Sequence, residues 1–416
     1  MRRLTSMLVA GGSVLAAACG QPSSPDPAAS ITSLPRALAP AEQELIASSN
    51  QFAFGLLREV NTTWSGKNVF ISPLSASMAL GMTMNGAAGT TYAEMRSALG
   101  FGSRTLTEIN GGYQSLVKLL RTLDPKVQFQ LANAIWYDRT MASAFETTFL
   151  NDTKTYFDAE VAALDMRSPQ AVSTINDWAS RSTNGRIPKV IDALDNDIVM
   201  LLANAIWFKG SWREQFDKSK TTSEPFSAAA GRVNVPTMQR TGAVRLGTMA
   251  GARVIELPYG GDAFAMTILL PDEGTSADSF LASLTPTMWA GAVASLNETK
   301  AEIHLPKFKL TWDDSLNAPL KQLGMRQAFV PDGADFTRMS QTAGRHLFIS
   351  FVRQNTFVDV NEEGTEAAAV TTVGVGVTSA PAQPPVVRID RPFIFAIRER
   401  LSGSIVFMGK IANPGA

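Results

Sequence analysis

The sequence predicts an α+β protein on three observations. Apolar residues recur at helical spacing through the first third of the chain. Short runs rich in Val, Ile and Phe, alternating or wholly apolar, crowd the last half. No regular strand–helix–strand alternation links the two, which argues against a doubly wound parallel sheet. The 416 residues exceed a usual domain, but an apolar fraction of 45% suffices for one large core, expected over residues 41–416.

The first 19 residues, MRRLTSMLVAGGSVLAAAC, read as an export leader. Arg2 and Arg3 form a positive end, and the apolar run from Leu8 to Ala18 is too short to span a membrane as a folded helix. The run ends at Cys19, the only cysteine, so no intrachain disulfide is possible. VLAAACG resembles the lipoprotein signal of bacteria, whose cysteine is lipidated and becomes the new N-terminus. That pattern favours Leu three positions before the cysteine; Ala16 stands there, with Leu15 one position further back. Ordinary cleavage after Ala18 is the alternative. Residues 20–40, rich in Pro, Ser and Ala, predict a flexible tether. The expected location is extracytoplasmic, lipid-anchored to the membrane through Cys19 or otherwise secreted.

From Ala41 to Val60, Leu45, Phe52, Leu56 and Val60 mark one helical face, with Glu42 and Glu44 in the first turn, where the helix dipole favours them. NVFISPLS is a short strand running into Pro73, which suits a first helical turn. SASMALGMTMNGAAG predicts a buried helix whose Met78 and Met82 are core rather than cofactor contacts. TYAEMRSALG and YQSLVKLLRTL predict two more helices. Two near-identical runs, LANAIWYD at 131–138 and LANAIWFKG at 202–210, have the content of interior strands, with a helix, AVSTINDWASRST, between them. VIELPYG, FAMTILLP, AEIHLPKFKL and FISFVRQNTFVDV predict four further strands. PFIFAIRE and SIVFMGKI predict a last hairpin turning at RLSG.

Charge is balanced at 37 basic and 37 acidic residues, and no zinc-finger spacing or arginine stripe is present. The usual grounds for a nucleic-acid partner are therefore missing. The two histidines, His304 and His346, lie far apart and the one cysteine is in the leader, so no Cys/His metal site and no cofactor are expected. His304, in AEIHLPKF, reads as a strand-face residue. Nor is an enzyme expected. Ser115–Leu116–Val117–Lys118 spells S-x-x-K, but no KTG follows and no G-x-S-x-G occurs.

One stretch fits neither a helix nor a settled core strand: EEGTEAAAVTTVGVGV, Glu362 to Val377. Written as a strand, one face carries Thr365, Ala367, Ala369, Thr371, Val373, Val375 and Val377, all small or β-branched, as an interior strand requires. The other face mixes Glu366, Ala368, Val370, Thr372, Gly374 and Gly376. The glycines, with Pro381, Pro384 and Pro385 beyond, equally predict an exposed loop. Pattern alone leaves two readings open: a long hairpin connection, or a segment able to pair with a sheet edge or slot between strands.

EEGTEAAAVT (362–371), followed by DRPFIFAI (390–397) and IVFMGKIANP (405–414), resembles the hinge and C-terminal strands of the serpins, the serine protease inhibitor family. NVFISPLS, LLANAIWFKGSW, ELPYGG, LPKFKL, LKQLGM and ADFTRMS match in the family's order. The resemblance implies the serpin fold: one α+β domain with a large, mostly antiparallel central sheet, two further sheets and eight or nine helices. It implies a monomeric inhibitor whose partner is a serine protease. The protease attacks the reactive-centre loop, about 364–386, as a substrate. After the acyl bond forms, the loop inserts as a new strand of the central sheet, and the protease is deformed before deacylation. The hinge comprises Glu362, Glu363, Gly364, Thr365, Glu366, Ala367, Ala368 and Ala369, with Thr365 the first residue to turn inward. At ~1 kcal/mol net per hydrogen bond, about a dozen inserted residues supply on the order of 10 kcal/mol, so the uninserted state must persist kinetically.

By the same resemblance, Ser72, Ser75 and Asn204 match the shutter, where the sheet parts, and Trp212 the breach, where insertion begins. The family often has a histidine ten residues before the hinge glycine. Here Gln354 stands there; it donates and accepts hydrogen bonds but gains no proton near neutrality. Counting forward from the hinge puts the cleaved bond at Thr378–Ser379, with Val377 and Ala380 beside it. Counting back from PPVVRIDRPF puts it near Pro381–Ala382. The hinge count is preferred, because insertion sets the length on that side and proline is a poor residue before a scissile bond. No Arg or Lys lies between Glu366 and Val387, so the expected partner has a small apolar specificity pocket, elastase-like or subtilisin-like. The alternative is a non-inhibitory serpin acting as a binding or scaffold protein. Such hinges usually carry bulky, charged or proline residues, which this one lacks.

Overall fold

The computed structural model describes residues 30–194, 198, 200–366 and 384–416. The chain begins helical: α1 (Pro40–Thr63), a short strand β1 (Val69–Ile71), α2 (Pro73–Met84), α3 (Gly89–Ala98) and α4 (Leu106–Thr122). Proline opens both α1 and α2, where its missing N–H costs no helical bond. α4 starts earlier than its apolar pattern suggests. Thr105 and Glu108 form a capping box, and Gly112 lets α1 approach so closely that a Cβ there would lie 3.1 Å from Leu45 Cδ2.

Next come β2 (Val127–Asp138), α5 (Thr147–Phe157), β3 (Ala159–Leu164), α6 (Pro169–Ser182) and β4 (Met200–Ser211). They are followed by β5 (Thr222–Ala228), β6 (Gly231–Met249), β7 (Ala252–Tyr259) and β8 (Phe264–Pro271). α7 (Ala277–Ser283), α8 (Pro286–Ala294), β9 (Asn297–Pro306), β10 (Phe308–Ser315) and α9 (Asn317–Gln322) lead to β11 (Arg353–Asn361) and the two-residue β12 (Gly364–Thr365). β13 (Val386–Arg388), β14 (Phe393–Glu399) and β15 (Ile405–Ile411) close the chain.

A six-stranded sheet has the order β10-β11-β12-β4-β2-β3, antiparallel except at β2–β3. The near-repeats LANAIWYD and LANAIWFKG are neighbours in it, registered so that Asn133 faces Asn204. Three sheets were expected; hydrogen bonding joins the strands into two. The second, nine-stranded, runs β1-β15-β14-β8-β7-β6-β9-β13, with β5 added on β6. β6 unites what would be separate sheets by pairing in turn with β5 through residues 231–237, β9 through 237–246 and β7 through 245–249. The expected helix number stands, at nine α-helices among the described residues.

Two expected strands change shape. AEIHLPKFKL is not one strand but parts of two: Pro306 ends β9 in the larger sheet and Phe308 opens β10 in the smaller. Between them the Lys307 N–H turns to Pro236 O (2.8 Å). FISFVRQNTFVDV becomes a strand only from Arg353. Upstream of it β10 has already turned into α9, whose Asn317 takes the Val352 N–H (2.7 Å), so residues 348–352 have no strand beside them among the described residues to pair with.

The expected tether is bound to the domain from Ile31 onward. Ile31 N–H donates to Gly261 O (2.8 Å), and Arg36 grips Glu42 through both carboxylate oxygens (2.6 Å each) and donates to Ser115 Oγ (2.7 Å). The Arg36 guanidinium holds the Glu42 carboxyl down at about 2. At β2 and β4 the six-stranded sheet buries both faces. One packs Phe129, Ile135, Ile206 and Phe208 into the main core; the other sets Ala134, Trp136, Leu201 and Ala205 against Trp178 and Ile175 of α6. Among the described residues no helix is long and apolar enough to cross a membrane, and no group of three His, Cys, Asp or Glu could hold a metal ion.

Candidate functional site

The hinge sits at one end of the six-stranded sheet, and its first residues are already inside it. β12 lies between β4 and β11, with Gly364 opposite Ser211 and Asn361, and Thr365 opposite Gly210 and Val360. Gly364 is required by this close approach: at its φ of 150°, a Cβ would fall 2.1 Å from Gly210 O. Thr365 is 2% exposed, and its Oγ1 lies 2.7 Å from Tyr259 Oη in the core. Burial pushes the Tyr259 phenol up, so it is neutral here.

Upstream, Glu362 bonds to Lys307 Nζ (2.9 Å) and Thr221 Oγ1 (2.7 Å), and Glu363 pairs with Lys218. Burial pushes the Glu362 carboxyl up, but these partners outweigh it and leave the group below its usual range. Trp212 closes the end. It stacks on Tyr259 (centroids 4.5 Å apart, planes within 10°), donates Nε1–H to Asn361 O (2.9 Å) and donates its backbone N–H to Glu363 O (2.9 Å). Glu366, the last described hinge residue, is 6% exposed; its Oε2 accepts from Trp207 Nε1 (2.5 Å) and Arg186 Nε (3.1 Å).

Below β12 no described strand continues between β4 and β11. β4 is paired with β2 along its length, but on its other side only Gly210 and Ser211 have a strand partner among the described residues. A cleft separates it from Arg353, Gln354 and Asn355 of β11, and Ser75, Ala76 and Ala79 of α2 form its floor. The shutter candidates meet here. Ser72 caps α2 and bonds Val406 O through Oγ (2.8 Å). Gln354 clasps the Ser72 backbone twice: its Oε1 takes the N–H (2.9 Å) and its Nε2 donates to the carbonyl (2.8 Å). Ser75 Oγ donates to Asn204 Oδ1, Asn204 Nδ2 to Asn133 Oδ1 (2.7 Å), and Asn133 Nδ2 to Phe157 O (2.7 Å). This polar chain ties α2 to β4 and β2 across the cleft floor.

Cys19, the hinge residues Ala367, Ala368 and Ala369, and the cleavage candidates Val377, Thr378, Ser379, Ala380, Pro381 and Ala382 lie outside the described residues. Sequence reasoning missed Asn133, Tyr259, Trp207 and Arg186 as members of the site. The LANAIW repeat marks Asn133 as the counterpart of Asn204, though only the register of β2 and β4 brings the two together; nothing local marks the other three. His304, read as a strand-face residue, is buried between Glu224 (2.8 Å) and Glu302 (2.8 Å), far from this cleft in sequence and in sheet.

The profile of the family described as "Serpin (serine protease inhibitor)" matches residues 47–414. The chain is 36% identical over 388 residues to the leukocyte elastase inhibitor of Sus scrofa, covering 89% of this chain and 100% of that protein. It is 36% identical over 380 residues to Iripin-2 of Ixodes ricinus, covering 89% and 94%. Its structure superposes on the thermophilic serpin Tengpin in the native state with a TM-score of 0.82 at 30% identity, covering 91% of this chain and 95% of that one. With the hinge strand lodged between β4 and β11 and the family pattern running nearly the whole length, this chain belongs to the serpin family.

Proposed function

We propose that this protein is a single-use inhibitor of a serine protease. The protease cleaves the segment after β12, and the freed chain enters the cleft between β4 and β11 as a full central strand. The observation that carries the reading is β12 itself. Two hinge residues already pair with both flanking strands, above a gap that no described strand fills and whose polar floor can re-pair as the strands separate. Similarity to proteins named as elastase inhibitors adds support. The favoured scissile bond is Thr378–Ser379, and the favoured target has a small apolar pocket, elastase-like or subtilisin-like, because no basic residue is available as bait. The protein acts as a monomer outside the cytoplasmic membrane, held by lipid on Cys19 or else secreted.

A second reading, a binding protein that never inserts its loop, draws on the likeness to human thyroxine-binding globulin (TM-score 0.80, 30% identity). The two readings separate on a protease panel. Incubation with elastase-like, subtilisin-like and trypsin-like enzymes should give an SDS-resistant covalent complex with one of the first two. Loop cleavage with every protease left active would sink the inhibitor reading. Detergent-phase partitioning that Cys19→Ala leaves unchanged would remove the anchor.

A further inference from the structure

Glu366 is where the chain leaves the sheet. Its N–H still reaches Asp359 O (3.0 Å), but its φ of 54° is left-handed, an uncommon conformation for a side-chain-bearing residue. The carboxylate is buried, with Oε2 held by Trp207 Nε1 and Arg186 Nε and Oε1 without a hydrogen-bond partner among the described residues. Arg186 in turn lies over the Phe357 ring, its Cζ 5.8 Å from the centroid.

Register gives this cluster its meaning. Thr365 stands opposite Gly210 on β4 and Val360 on β11. Each further inserted residue moves one position along both strands, so residue 368 must come between Trp207 and Phe357. Those are the two aromatic residues that hold the Glu366 carboxylate and the Arg186 guanidinium. Resting on the inhibitor reading above, we infer that Glu366, Trp207 and Arg186 form a latch that arrests insertion after Thr365. The side chains occupy the path of the third residue to follow, and Arg186 and Trp207 supply the bonds that must break. The latch is strained, with a left-handed backbone and an unpaired buried oxygen, so it delays insertion without preventing it. Arg186 and Trp207 are therefore positioning residues that set the speed of the trap.

The test compares full-length wild type with Arg186→Ala, Arg186→Lys and Trp207→Phe. Spontaneous conversion of the uncleaved protein is followed at fixed temperature by the fraction that acquires the raised melting point of the loop-cleaved form. The partition between covalent complex and cleaved inhibitor is followed alongside. Losing a charge-assisted hydrogen bond should speed conversion about tenfold in Arg186→Ala and Trp207→Phe and shift the partition toward complex, while Arg186→Lys stays nearer wild type. Arg186 is half exposed, so its alanine variant remains informative even if Trp207→Phe folds poorly. A merely structural role would lower the native melting point and leave the partition unchanged; that result, or equal conversion rates, overturns the latch. If loop cleavage raises no melting point even in wild type, insertion itself is absent and the inhibitor reading falls together with the latch.

Discussion

Thr365 carries the hinge at the scale of single residues. Its side chain is enclosed and shares a hydrogen bond with the neutral Tyr259 phenol, so any replacement there must be small and able to shed water. Thr365→Arg would bury a cation beside a group that cannot pair with it, at a cost of several (~3 or more) kcal/mol. The loop should still be cut but the covalent complex should fall at least about tenfold by gel densitometry; undiminished complex would contradict the inward placement. Glu366 makes a pH prediction. Burial raises its carboxyl above the usual range, opposed by Trp207 and Arg186 and assisted by Asp359. A raised acid holds its proton more tightly here than when solvated. Protonation therefore favours the latched state below the ordinary carboxylate range, and that advantage is lost as pH rises through the folded value. Insertion should slow as the solution is acidified from neutrality, and Glu366→Gln should flatten the profile; a rate independent of pH in wild type would refute the assignment.

Among elements, α2 and β11 are joined by one residue. Gln354 Oε1 takes the Ser72 N–H, whereas the Ser72 carbonyl also accepts from the Ala76 N–H (3.1 Å), so Gln354→Ala leaves one buried donor without a partner. At ~1–3 kcal/mol for such a group, urea unfolding should report a loss of about 1–3 kcal/mol, and a loss below about 0.5 kcal/mol would show that water replaces the amide. The elements themselves were unequally legible. α1, α2 and the LANAIW strands stood out because burial on one or both faces imposes a strong period or a continuous apolar run. α5, α7 and α8 and most of β6 did not. The burial pattern of β6 alternates only intermittently over its 19 residues, because it meets three different partners in succession and its inward face changes meaning along the way.

On the scale of the whole molecule, no strand among the described residues fills most of the interface between β4 and β11. Filling it adds ladder hydrogen bonds on both sides and buries a β-branched face, so loop cleavage should raise the melting midpoint markedly, by tens of degrees if the gain is on the order of 10 kcal/mol. Calorimetry before and after cleavage reads this directly, and an unchanged midpoint would mean that the gap stays empty. Alternation along Thr365 to Val377 by itself determined that this segment can be a strand, and its small residues that it can pass between others, since both depend on local chain chemistry. The hinge phrase EEGTEAAAVT and the order of the other motifs determined the family. Tertiary structure alone decided how far the hinge has entered the sheet, that Tyr259 receives Thr365, and that Trp207 and Arg186 meet Glu366. Arg186 and Glu366 lie 180 residues apart in the chain. Contacts of that kind come from strand register and from the fold of α6 onto the sheet, and no local periodicity encodes them.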